Sequence, residues 1–95
     1  MSEPQLLVHD KKDNVGVVVV EGVTAGADLL GVVLEDGSDF HVVCNHDVPI
    51  GHKVALSDLA NEATAIEYGQ DIGRIVAATK KGDHVHVHNL KTKRW

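Results

Sequence analysis

Short runs rich in valine, leucine and isoleucine alternate with polar, glycine-containing segments along this chain. β-Branched residues favour extended backbone, so the pattern predicts strands rather than helices. We expect eight short strands, which lie near residues 5–8, 15–20, 29–34, 39–44, 53–56, 64–68, 72–78 and 84–88. Between two of these runs, Asp36-Gly37 predicts a hairpin with a type I′ turn. The only helical turn that we expect is at residues 57–62, with Ser57 as its N-cap.

A recurring turn pattern separates several of these strands. In each copy, the residue that starts the turn is followed three positions later by a glycine, and a strand residue comes three positions after that. Glycine supplies left-handed backbone at such a place without a steric penalty. The copies begin at Val23, Val48 and Thr79, and a fourth begins at Leu59, where Glu62 replaces the glycine. Because their spacing is irregular, we expect related turns within one domain and not a solenoid.

The composition predicts a single domain over residues 1–95, with an ordered core at about 6–90 and a basic tail at 91–95. Only three residues are aromatic, namely Phe40, Tyr68 and Trp95, so the core must be aliphatic. The predicted fold class is therefore mostly β: short, mainly antiparallel strands with irregular loops and little helix.

Charge and cysteine content exclude several classes of function. The net charge of −5 leaves no broad surface for neutralising phosphates, so we expect no nucleic-acid partner. Cys44 is the only cysteine, so an intrachain disulfide is impossible. No basic and apolar leader is visible, and the longest apolar run, residues 17–20, is too short to cross a bilayer. We therefore expect a soluble, cytoplasmic protein without a membrane partner.

Three histidines alternate with valine near the C-terminus, in the segment Gly82-Asp-His-Val-His-Val-His-Asn89. As a strand, this segment places His84, His86 and His88 on one face and directs its two valines, at 85 and 87, into the core. Successive side chains on one face lie roughly 6.5–7 Å apart, so a pair such as His84 and His86 can converge on a small anion or a metal ion if the strand ends or twists there. The competing interpretation is an ordinary solvated face.

Other polar residues allow two interpretations each. His52-Lys53 follows a Pro-x-Gly turn and is either a charged strand start or a grip on a carboxylate or sulfonate. The loop from His9 to Asn14 is either a solvated hairpin loop or the rim of a site. Tyr68 is expected as a half-buried core ring with a bonded hydroxyl rather than as a catalytic acid.

The residues around the cysteine are expected to have no catalytic role. We interpret His41 and His46 as surface or loop residues. A nucleophilic pair of Cys44 with His46 is disfavoured, because valines surround the cysteine and no third group is evident that would orient the imidazole.

Four motifs in this order suggest a family. They are His9-x-x-x-Asp13-Asn14-Val15, Asp47-Val-Pro-Ile-Gly-His-Lys-Val-Ala-Leu56, Tyr68-Gly-x-x-Ile-Gly73 and Gly82-x-His-Val-His-Val-His-Asn-Leu90. Together they resemble the N-terminal SAF-type β-clip domain of the altronate/galactarate dehydratase family, over residues 6–95. One departure is Glu67, where the family usually carries lysine, and a smaller one is the missing glycine at Glu62.

The resemblance implies a function for the chain. In the dehydratases this domain precedes a much larger catalytic region, so we expect a separate large catalytic subunit as partner. The free-standing chain is most similar to small subunits of the sulfolactate-cleaving lyases of the family, which release sulfite and pyruvate. The alternatives are the small subunit of an altronate/galactarate-type dehydratase and a non-catalytic β-clip module that binds carbohydrate or partner proteins. The resemblance also implies a divalent metal such as Fe(II).

The implied chemistry agrees with the residue types. Sulfolactate and altronate are anionic 2-hydroxycarboxylates that lose a group from C3 after a proton leaves C2, which requires a base of near-neutral pKa and fixed positive charge. We predict that His52, Lys53, His84 and His86 line one cleft, with the loop from His9 to Asn14 at its rim. The predicted catalytic residues are His52, Lys53 and His86. The predicted substrate-binding residues are His9, Asp13, Asn14, Tyr68, His88 and Asn89. The predicted metal ligands are His84 and His86.

Overall fold

The structure, a computed structural model, describes residues 3–86 and 88–91. These residues form nine strands, which alternate with turns and short bridges. The strands are β1 (Leu6–Val8), β2 (Val15–Val18), β3 (Asp28–Val33), β4 (Asp39–Val43), β5 (Lys53–Ala55), β6 (Thr64–Glu67), β7 (Gln70–Ile75), β8 (His84–Val85) and β9 (Leu90–Lys91). The basic tail falls mostly at 92–95, outside the described residues.

The strands form two sheets. The larger sheet has the order β4-β3-β1-β2-β5-β8, and the smaller has the order β6-β7-β9. All pairs are antiparallel except β1 with β3, which is parallel. The predicted mostly β, mainly antiparallel fold is confirmed, and the eight predicted strands correspond to β1–β8. The short strand β9 was not predicted, because two residues are too few to produce an alternating pattern.

No helix in the described residues has the length and apolar character needed to span a bilayer. The prediction of a helical turn at 57–62 is wrong. Leu59 instead forms an isolated antiparallel bridge with Thr79, and each donates its backbone N–H to the other's carbonyl, at 2.7 and 2.8 Å. Tertiary pairing therefore overrides the local N-cap signal of Ser57.

The four recurring turns are confirmed. Gly26, Gly51 and Gly82 have φ values of 90°, 87° and 90°, and Glu62 has a φ of 76° at the equivalent position. The turns associate in two pairs, because the residues that start them are bridged: Val23 with Val48, and Leu59 with Thr79. The sequence pattern therefore corresponds to two similar pairs of bridged turns. In one of these turns Glu62 adopts the backbone conformation of a glycine.

Each pair of turns closes one hydrophobic cluster. The cluster beneath the first pair consists of Leu6, Val18, Val23, Leu29, Val42, Cys44, Val48 and Val54. The cluster beneath the second pair consists of Val15, Ala55, Leu59, Ala65, Ile75 and Val85. Successive residues of β5 contribute to different clusters, Val54 to the first and Ala55 to the second. Strand β5 is therefore apolar on both faces, and polar side chains become available only at its end.

The hairpin at Asp36-Gly37 is confirmed, but its turn type is not. Strands β3 and β4 pair as predicted, and Val33 N donates to Ser38 O at 2.8 Å, which leaves a four-residue loop between them. Gly37 has a φ of 73°, whereas Asp36 does not adopt the positive φ that a type I′ turn requires. The Asp36 carboxylate instead accepts bonds from the backbone and hydroxyl of Ser38 at 3.0 and 2.7 Å, which fixes the wider loop.

Candidate functional site

The candidate site lies where β5 begins and β8 ends. These strands are antiparallel, with Lys53 opposite Val85 and Val54 opposite His84. If this register is extended by one residue beyond the pair of Lys53 and Val85, His52 lies opposite His86. Directly opposed residues on antiparallel strands share a face and lie close together. Strand pairing therefore brings together histidines that are more than thirty residues apart in sequence.

Three imidazoles are in direct contact there. The rings of His52 and His86 stack with centroids 3.7 Å apart and an interplanar angle of 14°. His52 Nδ1 lies 2.8 Å from His84 Nε2, so one nitrogen donates a hydrogen bond and the other accepts it. We call His52, His84 and His86 the histidine cluster. The structure thus assembles three of the residues that the sequence placed in one cleft.

Two further histidines adjoin the histidine cluster. The His88 ring lies 5.0 Å from that of His84, at an angle of 47°. His46 accepts a hydrogen bond at Nδ1 from the backbone N–H of His84, at 3.2 Å. The interpretation of His46 as a surface residue is correct, since its side chain is 54% exposed. Its contact with His84 was missed, because it depends on the folding of the 44–48 loop and has no local sequence signal.

Two imidazoles of the histidine cluster, those of His84 and His86, favour the neutral form. Desolvation lowers the pKa of His84 below its ordinary value, and the neighbouring imidazoles lower it further. The pKa of His86 is lowered by desolvation, by His52 and by the Lys53 ammonium. Since an unperturbed histidine has a pKa of roughly 6.5, both rings are largely unprotonated at neutral pH. Neutral imidazoles can accept a proton or a hydrogen bond.

Asn89 explains why the predicted 84–88 strand is shorter than expected. Its side chain accepts a bond from His86 N at 2.9 Å and donates one to His84 O at 2.9 Å. The backbone of Leu90 also donates to His86 O, at 2.8 Å. These bonds replace ladder bonds and turn the chain after Val85, which is fully buried as predicted. Val87, the second valine of the prediction, lies outside the described residues.

A second group of predicted residues surrounds Asp13. Its buried carboxylate, 8% exposed, accepts four backbone hydrogen bonds. Two come from His9 and Asp10 at 3.3 Å each, and two come from Tyr68 at 3.0 Å and Gly69 at 2.7 Å. We call this arrangement the Asp13 turn. These four bonds come from both segments, which indicates that Asp13 fixes the 9–13 loop against the β6–β7 turn.

Asn14 has a similar arrangement. Its side-chain N–H donates to Thr64 O at 2.8 Å, and its oxygen accepts from Ile66 N at 2.7 Å. Both polar groups of this side chain thus join β6 to the 9–14 loop. The loop is therefore more than a solvated hairpin loop, because Asn14 bonds it to a strand that is distant in sequence.

Tyr68 departs from expectation. It is 55% exposed rather than half-buried in the core, and its ring stacks on His9 with centroids 3.8 Å apart. Its φ of 58° is uncommon for a bulky residue. The Asp13 carboxylate holds the Tyr68 N–H in this conformation, and the turn directs the ring away from the core. His9 and Tyr68 therefore present an exposed aromatic pair.

An ion pair between Lys53 and Glu67 links the histidine cluster to the Asp13 turn. The Lys53 ammonium lies 3.7 Å from Glu67 Oε2, and the two side chains are 23% and 13% exposed. Lys53 is the neighbour of His52, and Glu67 is the neighbour of Tyr68. Lys53 shares its face of β5 with Ala55, so its side chain reaches the end of the strand pair from the other face, where its charge still lowers the pKa of His86.

The described side chains do not form a metal centre by themselves. In residues 3–86 and 88–91, no group of three or more histidine, cysteine, aspartate or glutamate side chains is arranged to hold a metal ion. His84 and His86 have parallel rings 6.0 Å apart, and one nitrogen of His84 is bonded to His52. Two imidazoles are fewer protein ligands than catalytic zinc sites and non-haem iron(II) sites use. Their assignment as metal ligands stays a prediction.

Cys44 has the environment of an inert thiol. It is buried, and its Sγ donates to the backbone carbonyl of His46 at 3.1 Å rather than to an imidazole. Desolvation raises the pKa of this thiol above its ordinary value. A buried thiol that is kept protonated is a poor nucleophile, in agreement with the expectation from sequence.

Comparison with known proteins gives a consistent result. The family model of the altronate/galactarate dehydratase SAF domain matches residues 4–93. The chain is 53% identical over 89 residues to the (2R)-sulfolactate sulfo-lyase subunit alpha of Chromohalobacter salexigens, covering 94% of this chain and 95% of that protein. It is 52% identical over 67 residues to the protein of that name from Paracoccus pantotrophus, covering 70% of this chain and 100% of that protein.

The chain is also similar to a much longer protein. It is 39% identical over 83 residues to the altronate dehydratase of Escherichia coli, covering 84% of this chain but 15% of that protein. The similarity to the sulfo-lyase alpha subunits therefore extends over whole proteins, whereas the similarity to the dehydratase is confined to one part of it.

Proposed function

The chain belongs to the altronate/galactarate dehydratase SAF domain family, and on this basis we propose that it is the small subunit of a lyase that cleaves (2R)-3-sulfolactate into pyruvate and sulfite. One observation carries this proposal. The chain matches 95% of the length of a sulfolactate sulfo-lyase subunit alpha at 53% identity, so the two proteins correspond almost from end to end. A partner large subunit follows from the same relatives, whose names describe them as subunits.

The geometry of the histidine cluster suits the elimination. In this reaction the C2–H bond breaks, a C2–C3 double bond forms, and sulfite leaves C3 with the electron pair of the C–S bond. The resulting enol then becomes pyruvate. A neutral imidazole can accept the C2 proton, and the pKa of His86 is lowered in a way that keeps it unprotonated. We assign the proton to His86, with the stacked His52 ring supporting it.

Lys53 supplies the fixed positive charge in this proposal. Loss of the C2 proton places negative charge on the substrate carboxylate, and an ammonium at the same strand end stabilises that charge. Its influence on the pKa of His86 supports the proximity of the two groups. The exposed pair of His9 and Tyr68 contributes contacts at the rim.

The remaining groups are assigned to the large subunit. A small, shallow domain does not enclose a substrate, and enclosed pockets are the usual sites for small ligands. We therefore propose that the chain alone is inactive and that the complex acts in the cytoplasm. Because the described residues do not form a complete metal site, the divalent metal implied by the family resemblance would take its ligands mainly from the large subunit, which leaves the His86 imidazole available to accept the proton.

A second candidate function has one observation in its favour. The similarity to altronate dehydratase covers 84% of this chain, so the small subunit of a sugar-acid dehydratase is the alternative. A non-catalytic binding module is a third outcome. Both are separated from the main proposal by the same experiment.

The test is reconstitution. The chain, the large subunit and their mixture are each incubated with sulfolactate and with altronate, and sulfite and keto-acid products are measured. The proposal expects sulfite and pyruvate from the mixture only. Dehydration of altronate by the mixture would establish the second candidate, and an active large subunit unaffected by this chain would establish the binding module. Sulfite release by the chain alone would contradict the two-subunit proposal.

A further inference from the structure

Glu67 carries the further inference. We propose that Glu67 is a positioning residue, which holds the Lys53 ammonium at the end of the β5–β8 pair where the histidine cluster lies. The inference rests on the proposed function, because it concerns the same site. It adds a residue that belongs to none of the predicted catalytic, binding or metal-ligating sets.

The burial of Glu67 is the first observation. Its side chain is 13% exposed, and its Oε2 atom is buried and accepts no hydrogen bond within the described residues. Buried carboxylates are costly unless they are paired or bonded. The one cation close to this oxygen in the described part of the chain is Lys53, at 3.7 Å. The carboxylate therefore depends on Lys53 for its charge compensation.

The location of the pair is the second observation. Lys53 begins β5 in the larger sheet, and Glu67 ends β6 in the smaller sheet, so the ion pair joins the two sheets. The backbone of Glu67 is held in place, because Glu67 pairs with Gln70 of β7 and the next residue, Tyr68, donates its N–H to Asp13. A largely buried carboxylate on this fixed backbone restrains the flexible four-carbon side chain of Lys53.

The distance within the pair is the third observation. At 3.7 Å the two groups attract each other without forming a close hydrogen bond. The ammonium therefore keeps donors for a substrate oxygen while Glu67 fixes its place. An ion pair that served stability alone would gain from a direct hydrogen bond, whereas a restrained ammonium with free donors suits the stabilisation of a developing negative charge.

The first test replaces Glu67 with glutamine in the reconstituted complex. The change keeps the shape of the side chain and removes its charge. We expect kcat to fall on the order of 10- to 100-fold, because small displacements of a catalytic group have effects of this size. The matched control is Glu62→Gln, which removes the carboxylate from an exposed ion pair with Arg74 at 3.3 Å. This control should retain the turnover of the parent.

The second test exchanges the charges, as Lys53→Glu with Glu67→Lys. The exchange restores an ion pair between the sheets but moves the ammonium to residue 67. We expect the melting temperature of the exchanged variant to be close to that of the parent and higher than that of either single charge reversal. Its kcat should remain below that of the parent. Recovery of both melting temperature and kcat would overturn the inference, since it would show that the pair only stabilises the fold.

A third variant, Lys53→Arg, tests the inference if Glu67→Gln and the charge exchange do not fold. It keeps a cation opposite Glu67 but replaces the ammonium, so the inference expects a normal melting temperature and a reduced kcat. Full turnover of Lys53→Arg, or of Glu67→Gln, would reject the positioning role. Failure of the proposed function is distinguishable, because in that case the parent complex itself would not release sulfite from sulfolactate.

Discussion

The histidine cluster and the Asp13 turn are both rich in polar side chains, but they use them differently. In the Asp13 turn the buried carboxylate is occupied by four backbone N–H groups of the chain. In the histidine cluster the imidazoles contact mainly one another, through one hydrogen bond of 2.8 Å and a stack of 3.7 Å. Each imidazole has two nitrogens, so this arrangement leaves nitrogen atoms for external partners.

This difference distinguishes residues that stabilise the fold from residues that can act on a substrate. Polar groups that are fully bonded within the chain stabilise a loop, and their loss is expected to reduce stability. Polar groups with remaining donors or acceptors can act on a substrate, and their loss is expected to reduce turnover. The sequence placed both sets in one site, whereas the structure shows that their hydrogen bonding differs.

The largest effect is expected for His86→Gln. Loss of a general base typically lowers the rate roughly 10²–10⁴-fold, and a substitution at the surface usually changes stability by less than about 0.5 kcal/mol. Turnover of sulfolactate by the complex should therefore fall by this factor at an unchanged melting temperature. His41→Gln is the control, because this exposed histidine on β4 is bonded to Asp28 instead. Turnover of His86→Gln within about twofold of the parent would assign the cluster to the solvated-face interpretation.

The opposite result is expected for Asp13→Ala. The change leaves several backbone N–H groups without their acceptor, at a cost of about 2–4 kcal/mol in the free energy of unfolding. Urea unfolding of the isolated chain measures this cost. Asp10→Ala is the neighbouring control, since one of its oxygens accepts a single bond, from Lys12 N at 2.8 Å. A normal unfolding curve for Asp13→Ala together with lost turnover would show that Asp13 contacts the substrate after all.

Asn89→Ala tests a residue that combines both properties. Asn89 is 6% exposed and bonds the backbone of His84 and His86, so it supports the histidine cluster without belonging to it. We expect a loss of about 1–3 kcal/mol in unfolding free energy. Turnover should also fall, because His84 and His86 lose their anchor. Stability and kcat are measured on the same preparation, and a loss of kcat without any loss of stability would instead indicate direct contact of Asn89 with the substrate.

The smallest effect is expected for Glu62→Gly, which lies outside both regions. Left-handed backbone costs an ordinary residue about 1–2 kcal/mol, part of which is offset by the greater freedom of glycine in the unfolded chain. The variant should therefore be more stable than the parent by about 0.5–1 kcal/mol, with unchanged turnover. Chemical unfolding and the sulfite assay provide the measurements. A loss of stability would mean that the ion pair of Glu62 with Arg74 outweighs the strain.

Local sequence patterns were sufficient to predict most of the strands and turns. Valine-rich runs of a few residues predicted strands β1–β8, because side-chain alternation and β-branching act over neighbouring positions. The recurring turn pattern predicted left-handed backbone at Gly26, Gly51 and Gly82, and its degenerate fourth copy marked the turn in which Glu62 adopts the same conformation. Four ordered motifs also indicated the family to which the chain belongs.

Which side chains come into contact depends instead on the tertiary structure. His52 and His86 stack because β5 pairs with β8 in one register, and that register depends on packing of the whole core. The pairing of Lys53 with Glu67 likewise depends on how two sheets pack, which no local pattern encodes. Tyr68 was misjudged for the same reason: an aromatic ring usually favours burial, but the Asp13 carboxylate, 55 residues away in sequence, fixes a turn that exposes it. Short-range preferences act within a few residues of the chain, whereas hydrogen bonds and charges act between whichever groups the fold brings together.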